Sequence, residues 1–220
     1  MIETGVLFDD IHSFFDLDLI LSSVEIAPAS PKMSFVDIPG ADGSIDTTEV
    51  HGEVKYYDRV HNFTFTMNPA GDLSESAWEE KKTEISNLLN GKACRITLDK
   101  DPDYFWEGRC VIDAYKSNKR VRQFVISATV RPYKKKQSET AVSFALSSTE
   151  RTVNIRNGRK TVCPVIECTG SNTKITVGNA TYALGAGSHK VTDIMLFYGD
   201  NKMKLSGSGT VTFRFQEGDL

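Results

Sequence analysis

The sequence lacks any long uninterrupted apolar run. No stretch approaches the roughly 20 residues that a membrane-spanning helix needs. The first 21 residues contain many apolar side chains, but Glu3, Asp9, Asp10, Asp16 and Asp18 interrupt them. A secretory signal would have a positively charged start and an uncharged apolar centre. We therefore expect a chain that is made and folded in the cytoplasm.

Cysteine and histidine are scarce, and neither is arranged as a metal or catalytic motif. Cys94, Cys110, Cys163 and Cys168 form no CxxC pair and have no zinc-type spacing with a histidine. The four histidines form no HExxH pair. In a chain that is not exported, the expectation is four reduced thiols that pack as small apolar side chains.

One acidic segment begins like a calcium-binding loop but does not continue as one. Asp99, Asp101 and Asp103 have the required first spacing. Such a loop needs glycine at its sixth position and glutamate at its twelfth, where this chain has Tyr104 and Cys110. The sequence therefore predicts no metal site, and it predicts no cofactor and no catalytic residues either.

Charge is distributed unevenly around the net value of −3. Residues 1–133 hold 14 basic and 22 acidic side chains, a net −8, and residues 134–220 hold 12 and 7, a net +5. An acidic first half is poorly suited to bind nucleic acid, because phosphate contacts need clustered lysine and arginine. Two interpretations remain: two domains with unlike solvated surfaces, or a first half that repels DNA or matches a basic neighbour.

The sharpest change of composition lies at residues 131–140, RPYKKKQSET, where a proline, a basic run and small polar residues follow one another. Such a segment is typical of a linker. It predicts a first domain at 1–133, a linker at 134–141 and a second domain at 142–220. The fold class is mainly β, with two sandwich-like domains of which the first is α+β.

One helix is predicted at about residues 76–90. Ser76 and Glu79 fit a capping box, and Gly91 provides a left-handed stop. Apolar residues at helical spacing are expected to face the core; they are Trp78, Ile85, Leu88 and Leu89.

Alternating apolar and polar residues predict strands through the rest of the chain. In the first half these are residues 63–67, 95–98, 106–115 and 124–130. In the second half, glycine-rich turns separate shorter runs, which is the pattern of an antiparallel sandwich. Those runs are residues 162–168, 173–177, 181–184, 191–197, 203–205 and 210–215.

Residues 38–59 form the most distinctive segment, IPGADGSIDTTEVHGEVKYYDR. It combines the tight turn Pro39-Gly40 and Asp42-Gly43 with Gly52, Tyr56 and Arg59. The turn either connects two strands of its own subunit or contacts a neighbouring subunit. Gly40 and Gly43 fit the first role, because they supply backbone freedom. Arg59 is expected to have a carboxylate partner, within or between subunits.

The chain resembles the distal tail (Dit) protein family of long-tailed bacteriophages and prophages. The resemblance covers nearly the whole chain and depends on the order and spacing of several short motifs. They are the segment 36–59, the helix with Trp78 that ends at Gly91, and residues 98–109, 163–168, 201–207 and 210–220.

The resemblance implies a non-catalytic hub at the virion tail tip. Six copies would form a ring through their first domains, leaving a channel for DNA ejection. The ring would join the tail tube protein to the tail-associated fibre or lysin protein and to baseplate or receptor-binding proteins. The second domain would be a galectin-like sandwich. Candidate residues of the ring interface or of structural turns are Pro39, Gly40, Asp42, Gly43, Gly52, Tyr56 and Arg59.

Two other functions remain as alternatives. A carbohydrate-binding sandwich without catalysis would need an exposed aromatic side chain in the second domain. Both tryptophans lie in the first half, and the second half offers Phe144, Tyr182, Phe197, Tyr198, Phe213 and Phe215, several of which are expected in the core. A hydrolase would need carboxylates, or a histidine and a cysteine, that converge in one cleft.

Overall fold

The computed structural model describes residues 5–50, 52–118 and 121–220. The chain divides into two compact units, of which the first ends at Lys134 and the second comprises Lys135–Leu220. Each unit has its own cluster of buried apolar side chains. The predicted mainly β fold class is confirmed, since strands dominate both units and the described residues contain one α-helix.

The first unit contains nine strands and the helix within its described residues. They are β1 (Val6–Phe8), β2 (Ile11–His12), β3 (Leu19–Glu25), β4 (Phe35–Asp37), β5 (Ser44–Asp46), β6 (Arg59–Met67), α1 (Glu75–Leu89), β7 (Ala93–Leu98), β8 (Tyr104–Ser117) and β9 (Arg122–Val130).

Seven of these strands pair side by side in the order β2-β1-β7-β8-β9-β6-β3. Neighbouring strands lie about 4.8 Å apart, so in a flat sheet β1 and β6 would be separated by roughly 19 Å, four such steps. The Phe8 ring of β1 nevertheless lies 6.2 Å from the Phe63 ring and 6.1 Å from the Phe65 ring, both on β6. The sheet must therefore curve until its two halves face each other across the core.

The helix lies where the periodicity predicts, but its N-cap residue is two positions earlier than predicted. Ser74, rather than Ser76, caps α1, because its hydroxyl accepts a hydrogen bond from the Ala77 N–H at 3.2 Å. The helix ends before Gly91, whose φ is +77°. Trp78 is buried as predicted and packs against Phe124 of β9, with 4.8 Å between the ring centres. Ile85 and Leu89 are buried beside it, and Leu88 is partly buried against the same core.

The second unit is an antiparallel sandwich, as predicted. Its sheets are β11-β18-β13-β16 and β12-β17-β14-β15, and β10 pairs with β19. The strands are β10 (Lys134–Lys136, which begins at the last residue of the first unit), β11 (Thr140–Ala145), β12 (Arg151–Asn157), β13 (Val165–Cys168), β14 (Thr173–Val177), β15 (Ala180–Leu184), β16 (Gly187–His189), β17 (Gly199–Ser206), β18 (Thr210–Phe215) and β19 (Gly218–Asp219).

The prediction of a strand at residues 191–197 is wrong. Ile194 and Leu196 are fully buried, but they enter the core from an irregular segment that contains a turn, in which the Ile194 N–H donates to the Val191 carbonyl at 3.0 Å. Leu196 makes one isolated bridge to Val162. The alternation of apolar residues in this segment reflects which side chains are buried and does not indicate a strand. The backbone groups form a turn and an isolated bridge rather than a continuous ladder.

The two separate cores generate a prediction about stability. Ile126 on β9 and Ile175 on β14 are both fully buried, each in its own cluster. We expect Ile126→Ala to cost the first unit about 2–5 kcal/mol of unfolding free energy, and Ile175→Ala to cost the second unit a similar amount. Both tryptophans, Trp78 and Trp106, lie in the first unit, so tryptophan fluorescence follows that unit alone.

In a urea titration, Ile126→Ala should therefore lower the fluorescence midpoint, whereas Ile175→Ala should leave it in place and lower only a transition seen by circular dichroism. Equal shifts of the fluorescence midpoint in both variants would contradict independent folding of the two units.

Candidate functional site

The most unusual surface of the first unit is a hairpin that takes no part in the core. We call residues 31–50 the arm. Its strands β4 and β5 pair antiparallel, with Val36 opposite Ile45, and every residue from 31 to 46 is exposed. Gly40 (φ +84°) and Gly43 (φ +77°) lie at the tip, in a conformation that residues with a Cβ rarely adopt. Pro39 and Asp42 lie beside them in the same connection.

Local polar contacts hold the arm in shape. The Ser44 hydroxyl donates to the Asp37 carboxylate at 2.5 Å, and the Thr47 N–H donates to the Ser34 carbonyl at 2.8 Å. The Thr48 N–H donates to the Asp46 carboxylate at 2.9 Å, and hydrogen bonds from Thr48 lower the pKa of Asp46. The arm is thus ordered by its own hydrogen bonds rather than by burial.

The arm exposes an unusual number of large apolar side chains. Val36 and Ile45 lie opposite each other on one face, and Phe35 lies on the other because side chains alternate along a strand. A two-stranded ribbon has no second layer of its own to cover either face. The exposed apolar side chains of the arm are Met33, Phe35, Val36, Ile38, Ile45 and Val50.

The chain closes the base of the arm with a short ladder. Pro31 bridges Tyr56, the Lys32 N–H donates to the Lys55 carbonyl at 2.7 Å, and the Tyr57 N–H donates to the Ser30 carbonyl at 2.9 Å. Tyr56 also packs edge-on against Tyr133, with 5.9 Å between the ring centres.

Gly52 lies between the arm and this ladder. Its φ is +96°, and its N–H donates to the Glu49 carbonyl at 2.8 Å. Six of the seven sequence-predicted site residues therefore lie in the arm or beside its base, and Arg59 follows at the start of β6.

Arg59 is buried, with 6% of its surface exposed. Its Nη1 donates to the Ala27 carbonyl at 3.3 Å, while Nε and Nη2 have no hydrogen-bond partner in the described part of the chain. No described carboxylate forms a salt bridge with it, so the expected partner within the subunit is not found there. Burial lowers the pKa of Arg59. Its guanidinium instead fixes the segment that leads into the arm.

His61 lies two residues further along β6 and is fully buried. Its Nδ1 accepts a hydrogen bond from the Ala27 N–H at 3.3 Å, so Arg59 and His61 hold the two backbone groups of one residue. The ring stands edge-on to Trp106 at 5.1 Å. Burial, followed by repulsion from Arg59, lowers the pKa of His61 to about 4. Sequence reasoning missed this site, although His61 alternates in phase with the predicted core residues Phe63 and Phe65.

The cysteines form no disulfide. Cys94 and Cys110 lie close in the first core, with their Sγ atoms 3.4 Å apart. Their hydrogen bond lowers the pKa of Cys94, whereas the same bond and burial raise the pKa of Cys110. Among the described residues, no three histidine, cysteine or acidic side chains are grouped to hold a metal. No described helix has the length and apolar character to cross a membrane.

The second unit also has an exposed aromatic surface. Phe197 and Tyr198, both among the aromatic residues that the sequence offers in the second half, are 56% and 65% exposed. The adjacent residue Leu196 is fully buried. Alternation with the buried Ile194 and Leu196 directs Phe197 outward, but it gives no sign that Tyr198 is exposed as well.

The architecture of this chain matches that of a phage protein of known structure. The solved structure of the Dit protein of phage SPP1, described as a paradigm of the hub adsorption apparatus in phages that infect Gram-positive bacteria, matches 99% of this chain over 99% of its own length. The TM-score is 0.72 and the sequence identity is 15%. The predicted likeness to the Dit family is therefore confirmed at the level of the fold.

Other comparisons are weaker. Two structures of the phage p2 baseplate in its activated conformation, with Sr and with Ca, match at TM-scores of 0.40 and 0.39, each with 8% identity. They cover 96% and 99% of this chain, and 97% and 98% of their own chains. Scores this low do not establish a common fold. No family model matches the sequence, and no curated protein matches it.

The buried His61 generates a prediction about pH. Its pKa is about 4 in the folded chain against about 6.5 in the unfolded chain, so between these values the unfolded state binds the extra proton. His61 therefore contributes stability fully above pH 6.5, and this contribution falls as the pH decreases toward 4. The difference of pKa corresponds to about 3 kcal/mol of unfolding free energy.

We expect His61→Asn, which keeps a hydrogen-bond acceptor near the Ala27 N–H, to reduce the loss of stability of the first unit between pH 6.5 and 4. Urea midpoints from tryptophan fluorescence at several pH values measure this. His189→Asn in the second unit is the control and should leave the profile unchanged. A His61→Asn profile as steep as the wild-type profile would contradict the assignment.

Proposed function

We propose that this protein is a structural hub of a phage tail tip. In this proposal six copies form a ring that joins the tail tube to the tail-associated, baseplate and receptor-binding proteins. The ring leaves a channel through which DNA passes without specific binding. The protein acts without catalysis, at the tail tip of a virion assembled in a bacterial host. The observation that carries the proposal is the match in fold to the SPP1 Dit protein over 99% of both chains.

The exposed arm supports self-association through the first unit. A soluble protein rarely presents large apolar side chains together on an ordered, protruding ribbon unless another surface covers them. Phe35 on one face and Val36 with Ile45 on the other would both be covered if the arm lay between neighbouring copies. In a closed ring every copy gives one arm and receives one, so all six arms are covered.

The sequence-predicted site residues take defined roles in this proposal. Pro39, Gly40, Asp42 and Gly43 form the tip that reaches the neighbouring copy. Gly52 and Tyr56 shape the base of the arm.

Arg59 has a different role from that of the tip residues. It is buried, so it acts on the ring interface indirectly, by fixing the Ala27 segment from which the arm begins. It therefore sets the direction of the arm rather than touching the neighbouring copy.

The ring is tested by molar mass. One chain weighs 24.4 kDa, so light scattering on a sizing column should give about 146 kDa, six times that mass, and electron microscopy should show particles with a central hole. We expect the double substitution Phe35→Ser/Ile45→Ser to shift the peak toward 24.4 kDa, because it removes apolar contact on both faces of the arm.

The matched control is Phe15→Ser, which removes another exposed aromatic side chain of the first unit and should leave the mass unchanged. Both variants should unfold within about 0.5 kcal/mol of the wild type, since the substituted side chains are exposed. A wild-type chain that stays monomeric, both alone and mixed with a tail tube protein, would contradict the ring proposal. A double variant that still forms the ring would exclude the arm as its contact.

A further inference from the structure

Phe197 and Tyr198 project from the second unit as an exposed pair. The residue before them, Leu196, is fully buried, whereas Phe197 and Tyr198 are 56% and 65% exposed. Consecutive large aromatic side chains in solvent are unfavourable unless something covers them, since each can bury 150–250 Å². The pair is therefore a candidate contact surface, and its rigidity decides whether it can act as one.

The loop that carries the two rings is held from within by Asn201. The Phe197 N–H donates to Asn201 Oδ1 at 2.8 Å. Asn201 Nδ2 lies within hydrogen-bonding distance of the carbonyls of Phe197 (2.9 Å), Gly199 (3.1 Å) and Ile155 (3.2 Å). Gly199 has φ +84°, which lets the chain turn sharply after Tyr198. A single side chain thus fixes the backbone on both sides of the aromatic pair.

A second asparagine connects this loop to the turn at residues 158–160. Asn157 is 2% exposed, and its Nδ2 donates to the carbonyls of Leu196 at 2.8 Å and Lys160 at 2.9 Å. The turn is also fixed from β19, because the Lys160 N–H donates to the Gly218 carbonyl at 2.8 Å.

The same turn carries Arg159. Its N–H donates to the Asp219 carboxylate at 3.1 Å, and its guanidinium carbon lies 5.4 Å from the centre of the Tyr198 ring. The backbone that carries the two rings and the cation is therefore held in place before any ligand binds, and the cation lies over the Tyr198 ring.

We propose that Phe197, Tyr198 and Arg159 form a binding site for polysaccharides built from acidic sugars. The C–H face of a sugar ring packs on the electron-rich face of an aromatic ring. A guanidinium group binds a carboxylate through parallel hydrogen bonds. Because the backbone of the site is ordered in advance, less conformational entropy is lost on binding. This site is independent of the ring proposed above.

Charge favours an acidic ligand. Residues 134–220 carry a net +5, from 12 basic and 7 acidic side chains. Close to the rings, Arg159 and Lys160 lie near Asp219, and Arg156 lies opposite Asp200 on the neighbouring strand. This local set of three basic and two acidic residues is net positive. An acidic polysaccharide that extends beyond the two rings therefore lies in a favourable, positive electrostatic potential.

The size of the surface favours a sugar chain over a folded protein partner. A stable protein interface buries about 800 Å² on each side around an apolar centre. Here the apolar part consists of two rings, and the exposed strand residues beside them, Arg156 and Asp200, are charged. Such a narrow platform with polar surroundings suits a few sugar units.

The test is calorimetric titration of the full chain with three acidic polysaccharides: polygalacturonate, hyaluronate and alginate. Dextran, which is neutral, and poly-glutamate, which is acidic without sugar, are the comparison ligands. We expect binding to at least one acidic polysaccharide and at least about tenfold weaker binding to both comparison ligands, a difference of roughly 1.4 kcal/mol.

Variants localise the binding. Phe197→Ala, Tyr198→Ala and Arg159→Ala should each weaken it about tenfold, which corresponds to roughly 1.4 kcal/mol. Arg151→Ala is the matched control: it removes the same charge from the same unit, where Arg151 lies 5.6 Å from the Phe144 ring, and it should change affinity less than about twofold, or roughly 0.4 kcal/mol.

The proposal is overturned if none of the acidic polysaccharides binds, or if poly-glutamate binds equally well. Equal weakening by Arg151→Ala and Arg159→Ala would also overturn it, since charge alone would then explain binding. The molar mass of the same samples separates the two proposals: a monomer that binds sugar contradicts only the ring, and a ring that binds none contradicts only this site.

Discussion

The curvature of the first sheet is the constraint on which the first unit depends. Phe8 on β1 meets Phe63 and Phe65 on β6, although three strands lie between β1 and β6 in the order of pairing. Contact across the core requires curvature, and the glycine at position 108 of β8 permits a close approach of β9, since a Cβ there would lie 2.6 Å from the Thr129 carbonyl oxygen. Once the sheet curves, its concave face is filled and the helix lies against the strands β8 and β9.

The core inside this curved sheet does not include the arm. Every residue from 31 to 46 is exposed, and the apolar side chains there, among them Phe35 and Ile45, are absent from the core cluster. A flexible loop could hide such side chains against its own surface. The hydrogen bonds from Ser44 to Asp37 and from Thr47 to Ser34 prevent this by keeping the ribbon extended. Because the arm is both ordered and exposed, it is suited to bind a second molecule.

Periodicity predicted the elements whose burial is regular. The helix with Trp78 and Ile85, the alternation of Phe63 and Phe65, and that of Val211 and Phe213 all follow from one face meeting a core. Periodicity failed where tertiary contacts override local pattern. The alternation of Ile194 and Leu196 predicted a strand, yet within the described residues this segment forms an isolated bridge between Leu196 and Val162 instead of a ladder. The exposure of Phe197 and Tyr198 depends on Asn201, a near neighbour along the chain, and on Asn157, which is distant in the sequence. Neither residue type signals such a role in the sequence.

The interior polar residues explain how a buried core directs an exposed arm. Arg59 and His61 project inward from β6 and bind the carbonyl and the N–H of Ala27. Arg59 is a buried cation with no carboxylate partner among the described residues, and burying it costs free energy that an apolar side chain would not cost. The lowered pKa of His61 makes the unit less stable in acid. An apolar side chain, however, could not fix a backbone segment by hydrogen bonds. The two residues hold the chain at Ala27, and the Pro31–Tyr56 ladder then sets the direction in which the arm leaves the unit.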